Sequence, residues 1–400
     1  MLKDKTVLLG VSGSVAAYKA AALASALVKL HADVHVLMTQ NALKFVNPIT
    51  FETLTGNKCL TDTFDRNFQF SVEHVSLAKR ADIVLLAPAT ANVLAKLAHG
   101  LADDMLTTTI LACACGKLVS PAMNTQMLQN PVTQRNLSLL ETLGFEIIQP
   151  AEGRLACGDI GAGRMPDEAV LIAYILRRIA FKKDLQGKKV LVTAGATRER
   201  LDPVRFLSNH SSGKMGYALA RNCAMRGAEV TLVSGYAEVT APLFVDFVSV
   251  TDAAEMFEAV VSRAPEQDII IKAAAVADYT PKQYFDQKQK KRDGDLTIPL
   301  KRTADILAYL GEHRRAGQLL CGFSMETERA EDYAREKLVR KHLDMIAANN
   351  VTQENAGFAH DTNRVTIITA NATKRLPLLS KAEVAAIIVD ELLALAHTRA

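Results

Sequence analysis

The feature that most constrains the fold is a strand, turn and helix pattern that begins near residue 5 and begins again near residue 190. In the first half, short and continuously apolar segments alternate with turns and with helical periods. The predicted strands of this half are residues 5–9, 33–39, 81–87, 118–121 and 146–150. Strands that are apolar along their whole length favour a parallel sheet covered by helices on both faces. We therefore predict an α/β fold, with Pro88 ending the third strand.

A charged segment, residues 182–189, marks the predicted boundary between two domains. Beyond it the pattern restarts, with predicted strands at 190–194, 229–235, 269–275 and 319–323 and a helix over 213–227. A length of 400 residues, 49% of them hydrophobic, is enough for at least two buried cores. We assign residues 1–186 to one domain and residues 187–400 to the other.

Charge and cysteine content exclude several classes of protein. The 47 basic and 43 acidic residues give a net charge of +4, too small to predict nucleic acid or a membrane surface as a general partner. The apolar segment 7–17 is interrupted by polar residues and flanked by charged ones, unlike a signal peptide. The six cysteines form no CxxC pair, and Cys113 and Cys115 lack a nearby histidine cluster, which argues against zinc. We expect a cytoplasmic protein with reduced thiols.

Residues 10–15, Gly-Val-Ser-Gly-Ser-Val, join the first predicted strand to the first predicted helix. The free N–H groups and the dipole of such a helix can bind a phosphate, and Ser12 and Ser14 add hydroxyl donors. Because the segment is not GxGxxG, a mononucleotide or flavin phosphate is favoured over a dinucleotide. Taken alone, the segment is also consistent with a tight turn that binds nothing.

Asn124 follows a predicted strand, in the segment 121–127. This position lies near the carboxyl edge of the sheet, where α/β proteins bind ligands. Its amide can donate to a carboxylate and accept from an amine. A purely structural role, as the N-cap of a helix starting near residue 125, is an equal alternative.

The glycine-rich segment 153–165 carries Cys157 between Arg154 and Arg164. Its four glycines predict a mobile flap, whereas a structural cysteine is normally found in an apolar strand or helix. We therefore predict that Cys157 acts on a substrate as a proton donor or nucleophile. His74 precedes a short predicted helix and is a candidate base because imidazole titrates near neutral pH, although a single histidine is usually structural.

A basic cluster, residues 288–292, occurs in the second half beside two aspartates. Such a loop can neutralise phosphate charge, but a solvated surface turn is the alternative when the cluster is considered alone. It has no aromatic side chains on which bases could stack, so binding of nucleic acid is not favoured.

Together, the motifs of the first half resemble those of the flavin-dependent cysteine decarboxylases. They are SGSVAAYK (12–19), His74 before a helix leading into an apolar strand, PATAN (88–92), PAMNTQM (121–127) and LACGDIGAGRM (155–165). The second half, from VLVTAGATRERLDPVRFLSNHSSGKMG (190–216) onward, resembles phosphopantothenoylcysteine synthetase. Side by side, the halves are similar to the bacterial bifunctional coenzyme A biosynthesis proteins over almost the whole chain.

For the first domain, the resemblance implies a flavodoxin-like, doubly wound parallel sheet that binds FMN. The implied reaction is decarboxylation of 4'-phospho-N-pantothenoylcysteine to 4'-phosphopantetheine, with FMN oxidising the substrate thiol and later returning a hydride. The FMN-binding residues that it implies are Gly10, Ser12, Gly13, Ser14, Thr39, Ala89, Thr90 and Asn92. His74 matches the active-site histidine, Asn124 and Met127 match the substrate-binding motif, and Cys157 matches the proton donor.

For the second domain, the resemblance implies a Rossmann-like α/β fold that joins 4'-phosphopantothenate to L-cysteine through an acyl-cytidylate, using CTP and Mg²⁺. The CTP-binding residues that it implies are Asp278, Lys288, Ala304, Asp305, Ile306, Phe323, Lys337 and Lys341. Asn209 matches the asparagine that processes the acyl-cytidylate, and Lys288 matches the first lysine of a catalytic loop. Asp278, which ends a predicted strand, is expected to bind either the ribose or Mg²⁺.

The resemblance also implies a homo-oligomer, with decarboxylase trimers and ligase dimers forming a dodecamer. Two other classes of protein remain as alternatives. A flavin electron-transfer protein fused to a nicotinamide-dependent reductase would also contain two α/β nucleotide folds, but the second domain lacks GxGxxG. A non-enzymatic scaffold that binds nucleic acid through residues 288–292 is disfavoured by the nearly neutral chain.

Overall fold

The computed structural model describes residues 1–64, 73–155, 158–290, 297–326, 329–350 and 360–397. The chain divides into two units, Met1–Lys182 and Lys183–Ala400. Leu185 is fully buried in the core of the second unit, and its N–H donates to the carbonyl oxygen of Arg226 over 3.2 Å. The division therefore falls a few residues before the position expected from the sequence.

A parallel sheet forms the centre of the first unit. Its strands are β1 (Thr6–Val11), β2 (Asp33–Met38), β3 (Ile83–Ala89), β4 (Gly116–Pro121) and β5 (Phe145–Ile147). Within the described residues the strand order is β2-β1-β3-β4-β5, with every neighbouring pair parallel. This is the flavodoxin-like order, so the predicted fold class is confirmed for the first unit.

Helices pack around this sheet, and a hairpin follows it. The helices are α1 (Ala17–Lys29), α2 (Pro48–Thr55), α3 (Glu73–Arg80), α4 (Ala91–Ala98), α5 (Met105–Ala112), α6 (Thr125–Gln129), α7 (Pro131–Thr142) and α8 (Glu168–Ile179), with a 3₁₀ turn at Ala42–Lys44. The hairpin consists of β6 (Ala151–Arg154) and β7 (Ile160–Arg164), which pair antiparallel. It occupies the segment that the sequence predicts to be a mobile flap.

The second unit contains a larger, mixed sheet. Its strands, in chain order with those of small accessory pairs, are β8 (Lys189–Ala194), β9 (Arg198–Arg200), β10 (Phe206–Ser208), β11 (Glu229–Ser234), β12 (Val245–Ser249), β13 (Ile269–Lys272), β14 (Tyr279–Pro281), β15 (Leu300–Arg302), β16 (Leu319–Glu326), β17 (Met345–Asn350), β18 (Thr362–Asn363), β19 (Val365–Thr369), β20 (Thr373–Arg375) and β21 (Leu379–Ser380). The helices are α9 (Lys214–Met225), α10 (Ala253–Arg263), α11 (Ile306–His313), α12 (Ala330–Arg340) and α13 (Lys381–His397), with a 3₁₀ turn at Ala264–Glu266.

The order of the large sheet is β12-β11-β8-β13-β16-β17-β19-β20 among the described strands. From β12 to β17 all pairs are parallel, and β19 and β20 add an antiparallel edge. If β8 is counted as the first strand, the parallel part has the order 3-2-1-4-5-6, which is the Rossmann order. The predicted Rossmann-like fold is confirmed, and its topological switch point lies between β8 and β13.

Side chains of the central strand β8 alternate between two cores. Val190 and Val192 pack into the cluster that includes α9 and α13, whereas Leu191 packs into the cluster that includes α10 and α11. Burial on both faces explains the continuous apolar runs in the sequence. The carboxyl ends of these strands are consequently fixed at one edge of the sheet.

Pro88 lies inside β3 rather than after its end, so the sequence prediction was wrong at this position. The pairing of β3 with β4 shifts register between Leu86 and Ala89, and a bulge of this kind accommodates a residue without an N–H group.

Across the described parts of the chain, none of the helices combines the length and the apolar character that a bilayer span requires.

Candidate active sites of the two units

The carboxyl ends of β1 and β3 are joined by the side chain of Ser12. Its buried hydroxyl donates to the carbonyl oxygen of Pro88 over 2.7 Å and accepts from the N–H of Thr90 over 3.0 Å. These two strands flank the switch point of the first sheet, which is where flavodoxin-like sheets bind their cofactor. The hydroxyl proton of Ser12 is therefore engaged by Pro88, and this side chain positions the turn instead of donating to a phosphate as the sequence suggested.

The turn after β1 fits a phosphate group. The N-cap residue of α1 is Ala16, which has no side chain that could cap the helix. The Ser14 hydroxyl accepts from the N–H of Ala16 over 3.3 Å, which leaves its own proton for another acceptor. A Cβ at Gly13 would overlap Asn41, so only glycine allows the turn to approach the segment after β2 this closely. A helix N terminus next to a glycine and a hydroxyl suits the phosphate of a flavin mononucleotide.

The flavin-binding residues predicted from the sequence are distributed over three adjacent strands. They lie near the carboxyl ends of β2, β1 and β3 or in the segments that follow: Gly10, Ser12, Gly13, Ser14, Thr39, Ala89, Thr90 and Asn92. The fold thus gathers these residues at one edge of the sheet.

Asn124 caps α6, with its side-chain oxygen accepting from the N–H of Gln126 over 2.8 Å. The structural alternative for Asn124 is thus present, and it occupies the oxygen of the amide. Both neighbours of Asn124 contact the hairpin strand β7: the Met123 N–H donates to the Gly163 carbonyl over 3.0 Å, and the Thr125 hydroxyl donates to the Ala162 carbonyl over 2.8 Å. The hairpin is attached directly to the Asn124 segment.

Gly163 makes this attachment possible. Its φ is +137°, and a Cβ there would overlap the carbonyl oxygen of Met123. At the far end of the hairpin, the Leu155 N–H donates to the Asp159 carbonyl over 2.8 Å. Cys157 itself lies outside the described residues. The hairpin that carries Cys157 in the sequence is therefore joined to the segment that carries Asn124.

The two other residues predicted for the decarboxylase lie on helices of the same unit. His74 is the second residue of α3 and is partly buried. Met127 lies on α6, with its side chain about half exposed.

A cavity of about 830 Å³ opens at the carboxyl edge of the second sheet. The sequence-predicted residues that line it are Asn209, Asp278, Ala304, Asp305, Ile306, Phe323, Lys337 and Lys341. They come from separate loops, strands and helices that meet at the switch point. The volume is in the range of small-molecule sites.

Lys288 does not line this cavity. It is exposed in the segment after β14, and the rest of its basic cluster, from residue 291 onward, lies outside the described residues. For a metal, the described residues contain no group of three or more His, Cys, Asp or Glu side chains arranged to bind one. Asp278 is exposed at the cavity, and Mg²⁺ commonly uses one or two carboxylates together with substrate phosphates. The site therefore fits Mg²⁺ only if the ion is held jointly by Asp278 and the phosphates of a bound substrate.

The cavity is strongly cationic. Its charged lining consists of the cations Lys214, Lys272, Arg302, Lys337, Lys341 and Lys381 and the carboxylates Asp278 and Asp305. Sequence reasoning missed Lys214, Lys272, Arg302 and Lys381. The one available signal was Lys272, a charged residue that directly follows the apolar run Ile-Ile-Ile in a predicted buried strand. An excess of positive charge in a concave site favours polyanionic ligands.

Asp305 holds the ammonium group of Lys341 at the cavity, with Lys341 Nζ 2.9 Å from Oδ1 and 2.7 Å from Oδ2. Asp305 also caps α11 by accepting from the N–H of Ala308 over 3.0 Å. Partial burial would raise the pKa of Asp305, but hydrogen bonds from Lys341 and Ala308 outweigh it and hold the pKa below its usual value. Asp305 is therefore a carboxylate at neutral pH.

Lys272 ends β13 at the switch point, and its ammonium lies 3.4 Å from the Ala274 carbonyl oxygen. Burial, followed by repulsion from Lys341, lowers the pKa of Lys272 to about 8. The amide of Asn209 donates to the next carbonyl, that of Ala275, over 3.3 Å. Lys272 and Asn209 thus lie along the same short segment after β13.

A flavodoxin-like unit with a turn that fits a phosphate, together with a Rossmann-like unit around a cationic cavity, defines a two-domain α/β enzyme that acts on phosphorylated small molecules. Residues 1–180 match the family model described as Flavoprotein, and residues 185–395 match the DNA/pantothenate metabolism flavoprotein C-terminal domain. The chain is 48% identical to the coenzyme A biosynthesis bifunctional protein CoaBC of Bacillus subtilis (strain 168), over 99% of this chain and 98% of that protein. It belongs to the family of bifunctional coenzyme A biosynthesis proteins, which confirms the resemblance inferred from the sequence.

Other relatives have the same name. The CoaBC protein of Escherichia coli (strain K12) is 41% identical, over 98% of this chain and 97% of that protein. Among solved structures, the C-terminal domain of a CoaBC protein is 45% identical and covers 52% of this chain and 94% of its own, with a TM-score of 0.45. A mutant PPC decarboxylase complexed with pantothenoylaminoethenethiol is 33% identical and covers 43% of this chain and 96% of its own, with a TM-score of 0.39.

Proposed function

We propose that the second unit joins 4'-phosphopantothenate to L-cysteine using CTP, and that the first unit decarboxylates the product to 4'-phosphopantetheine using FMN. Membership of the bifunctional coenzyme A biosynthesis family supports both activities in one chain. The observation that carries the ligase half is the cavity lined by six cationic and two acidic side chains. Both phosphorylated substrates of this reaction are anions that need such an environment.

The proposed ligase reaction consists of two successive displacement steps. A carboxylate oxygen of phosphopantothenate bonds to the α-phosphorus of CTP while the bond to the β-phosphate oxygen breaks and pyrophosphate leaves. The amine nitrogen of cysteine then bonds to the acyl carbon, CMP leaves, and the amine loses a proton. Cations at the cavity reduce the repulsion between the attacking carboxylate and the phosphates.

Individual residues take parts in this scheme. Lys337 and Lys341 would bind nucleotide phosphates, with Asp305 orienting Lys341. Asp278 would share Mg²⁺ with the phosphates, and the chemistry that this ion supplies when bound is polarisation of a phosphoryl oxygen. Asn209, next to the Ala275 carbonyl, would contact the acyl-cytidylate, and Lys288 would act from its exposed segment.

The first unit fits FMN through the N terminus of α1, the Gly13 turn and the hydroxyl of Ser14. When bound, FMN would supply a two-electron acceptor for the thiol-bearing carbon of the substrate and return those electrons after carbon dioxide has left. Asn124 would bind the substrate carboxylate through its amide. His74 would accept the thiol proton, and Cys157 would donate a proton to the decarboxylated product.

The assembly and location that we propose follow the family. Decarboxylase trimers linked by ligase dimers would give a dodecamer, and the enzyme would act in the cytoplasm, where its small-molecule substrates are found. No nucleic acid or membrane partner enters the scheme.

The test is a stepwise assay with purified full-length protein. Pyrophosphate should form only when CTP and 4'-phosphopantothenate are both present with Mg²⁺, and carbon dioxide only when cysteine is added as well. Cys157→Ser should keep the release of pyrophosphate but lose the formation of 4'-phosphopantetheine. Consumption of NADPH without pyrophosphate release would instead support the reductase alternative.

A further inference from the structure

Cys113 and Cys115 place two thiols on one face of the segment that joins α5 to β4. The side chains of residues 113, 115 and 117 are buried or partly buried, whereas residues 114 and 116 between them are exposed. This alternation is that of an extended chain, in which every second side chain points to the same side. Cys113, Cys115 and Lys117 therefore form one cluster. It lies at the amino edge of the first sheet, whereas the candidate flavin site lies at the carboxyl edge.

The two cysteines are close enough to form a disulfide with each other. The Cα atoms of residues two apart in a fully extended chain are separated by at most about 7 Å, and the backbone bends at Cys115 before β4 begins. Disulfides join Cα atoms that are about 4.4 to 6.8 Å apart. The Cys113 thiol is hydrogen-bonded to Cys115, and both cysteines are free thiols in this structure. The segment is thus a dithiol.

The groups around Cys115 favour its thiolate form. The ammonium Nζ of Lys117 lies 3.4 Å from the carbonyl oxygen of Cys115. A hydrogen bond from Cys113 lowers the pKa of Cys115, burial opposes this effect, and the charge of Lys117 lowers the pKa further. Asp82 acts in the opposite direction, but its carboxylate is paired with Lys5 over 2.8 Å. The same hydrogen bond raises the pKa of Cys113, which therefore keeps its proton while Cys115 ionises.

Access to solvent distinguishes Cys115 from the other cysteines that the structure describes. Cys59, Cys223 and Cys321 are buried, and burial raises the pKa of each of them. Cys113 is only 5% exposed, whereas Cys115 is partly exposed. An accessible thiolate beside a buried thiol is the arrangement in which one cysteine attacks an oxidant and the other then displaces the product.

We propose that Cys113 and Cys115 form a redox-active dithiol, a site that low-molecular-weight disulfides oxidise reversibly. The Cys115 thiolate attacks one sulfur of such a disulfide, its S–S bond breaks, and one thiolate leaves and takes up a proton from water. The Cys113 sulfur then attacks the Cys115 sulfur, and the second thiol leaves with the Cys113 proton. The dithiol loses two electrons and two protons, and the small disulfide gains both. Neither step needs the ligase or the decarboxylase activity proposed above.

The test treats full-length Cys157→Ser protein, which lacks the cysteine predicted to act in decarboxylation, with oxidised glutathione at neutral pH. Mass spectrometry should show a disulfide between Cys113 and Cys115 without bound glutathione, and dithiothreitol should reverse it. With Cys113→Ser added, glutathione should remain attached to Cys115, because the thiol that displaces it is absent. With Cys115→Ser added instead, the reaction should be slower by about tenfold or more, since the remaining described thiols are buried.

Cys59→Ser, also in the Cys157→Ser background, is the matched control. Cys59 lies in the same unit and is 5% exposed, as Cys113 is. This variant should form the disulfide between Cys113 and Cys115 at the rate of the parent. A folded parent protein that does not react, or that keeps glutathione on Cys115, overturns the proposal without recourse to any further variant. An equal reaction rate after Cys115→Ser also overturns it.

Discussion

The hydroxyl of Ser12 donates a 2.7 Å hydrogen bond to the carbonyl oxygen of Pro88, which joins the turn after β1 to the end of β3. The same hydroxyl accepts from the N–H of Thr90, at the start of α4. All three residues lie at the switch point of the first sheet. The geometry of the proposed flavin site therefore depends on one buried hydroxyl that does not itself need to contact the cofactor.

Replacing Ser12 with alanine should weaken FMN binding by about tenfold, because both hydrogen bonds of the hydroxyl are lost and the Pro88 carbonyl keeps only the backbone N–H of residue 12, at 3.2 Å, as a donor. The measurement is the dissociation constant of FMN from fluorescence titration of apoprotein. Ser138→Ala, at an exposed position on α7, is the control and should bind FMN as the wild type does. Equal affinities for the two variants would show that the connection is dispensable.

Gly163→Ala should displace the hairpin from the Asn124 segment, because the added Cβ would overlap the Met123 carbonyl and alanine is strained at a φ of +137°. We expect the decarboxylation rate to fall by at least about tenfold. A rise of about 1.4 kcal/mol in the activation free energy, caused by the displaced hairpin, is enough for that factor. FMN content should be unchanged. Gly116→Ala, whose Cβ would meet no atom within 4 Å, is the control. Full activity of Gly163→Ala would show that decarboxylation does not depend on the attachment of the hairpin to the Asn124 segment.

Asp305 has two roles that two substitutions separate. Asp305→Asn keeps a side chain that can cap α11 but loses the ion pair with Lys341, so the KM for CTP should rise by about tenfold while thermal stability is kept. Asp305→Ala should also lose about 1 kcal/mol of stability, measured by urea unfolding. Asp252→Ala removes the cap of α10, together with a long ion pair to Arg200 at 3.9 Å, and is the control for a capping loss outside the cavity. An unchanged KM for CTP in Asp305→Asn would show that the ion pair between Asp305 and Lys341 has no role in nucleotide binding.

Binding of CTP should weaken as the pH rises through about 8, the pKa of Lys272. Only the protonated ammonium attracts phosphates, and this group faces Lys337, Lys341, Asp278 and Asp305. The affinity should fall about threefold to tenfold between pH 8 and pH 9, and Lys272→Met should flatten this part of the profile.

Folding stability should depend on pH in the opposite direction to CTP affinity. Between pH 8 and about 10.4 the unfolded chain holds the lysine proton more tightly, so the contribution of Lys272 to stability increases with pH.

Much of the fold could be predicted from the sequence because the central strands are apolar on both faces. The strands β1, β2, β8 and β11 begin and end within a few residues of their predicted positions. The antiparallel edge could not be predicted, because β20 is the polar sequence Thr-Lys-Arg and depends on its neighbour β19 for pairing. The hairpin of β6 and β7 was also missed, since its glycines at positive φ are typical of loops as well as of hairpins.

The candidate sites were predictable to different degrees. At the switch point of the first sheet, the residues of the turn after β1 are continuous in the sequence, whereas Thr39, Ala89, Thr90 and Asn92 were implied only by the family resemblance. The cationic wall of the second unit could not be predicted, because Lys214, Lys272 and Lys381 lie far apart in the chain, and only Lys272, which follows an apolar run, is unusual in its local sequence. Only the packing of α9 and α13 on the Rossmann-like sheet brings two of them together.

The visible absorption spectrum of the freshly purified full-length protein tests the flavoprotein assignment most directly. After incubation with free FMN, flavin absorption should stay with the protein on gel filtration, and it should bleach when the protein is reduced. A colourless protein that remains colourless after incubation with FMN and gel filtration would contradict the assignment.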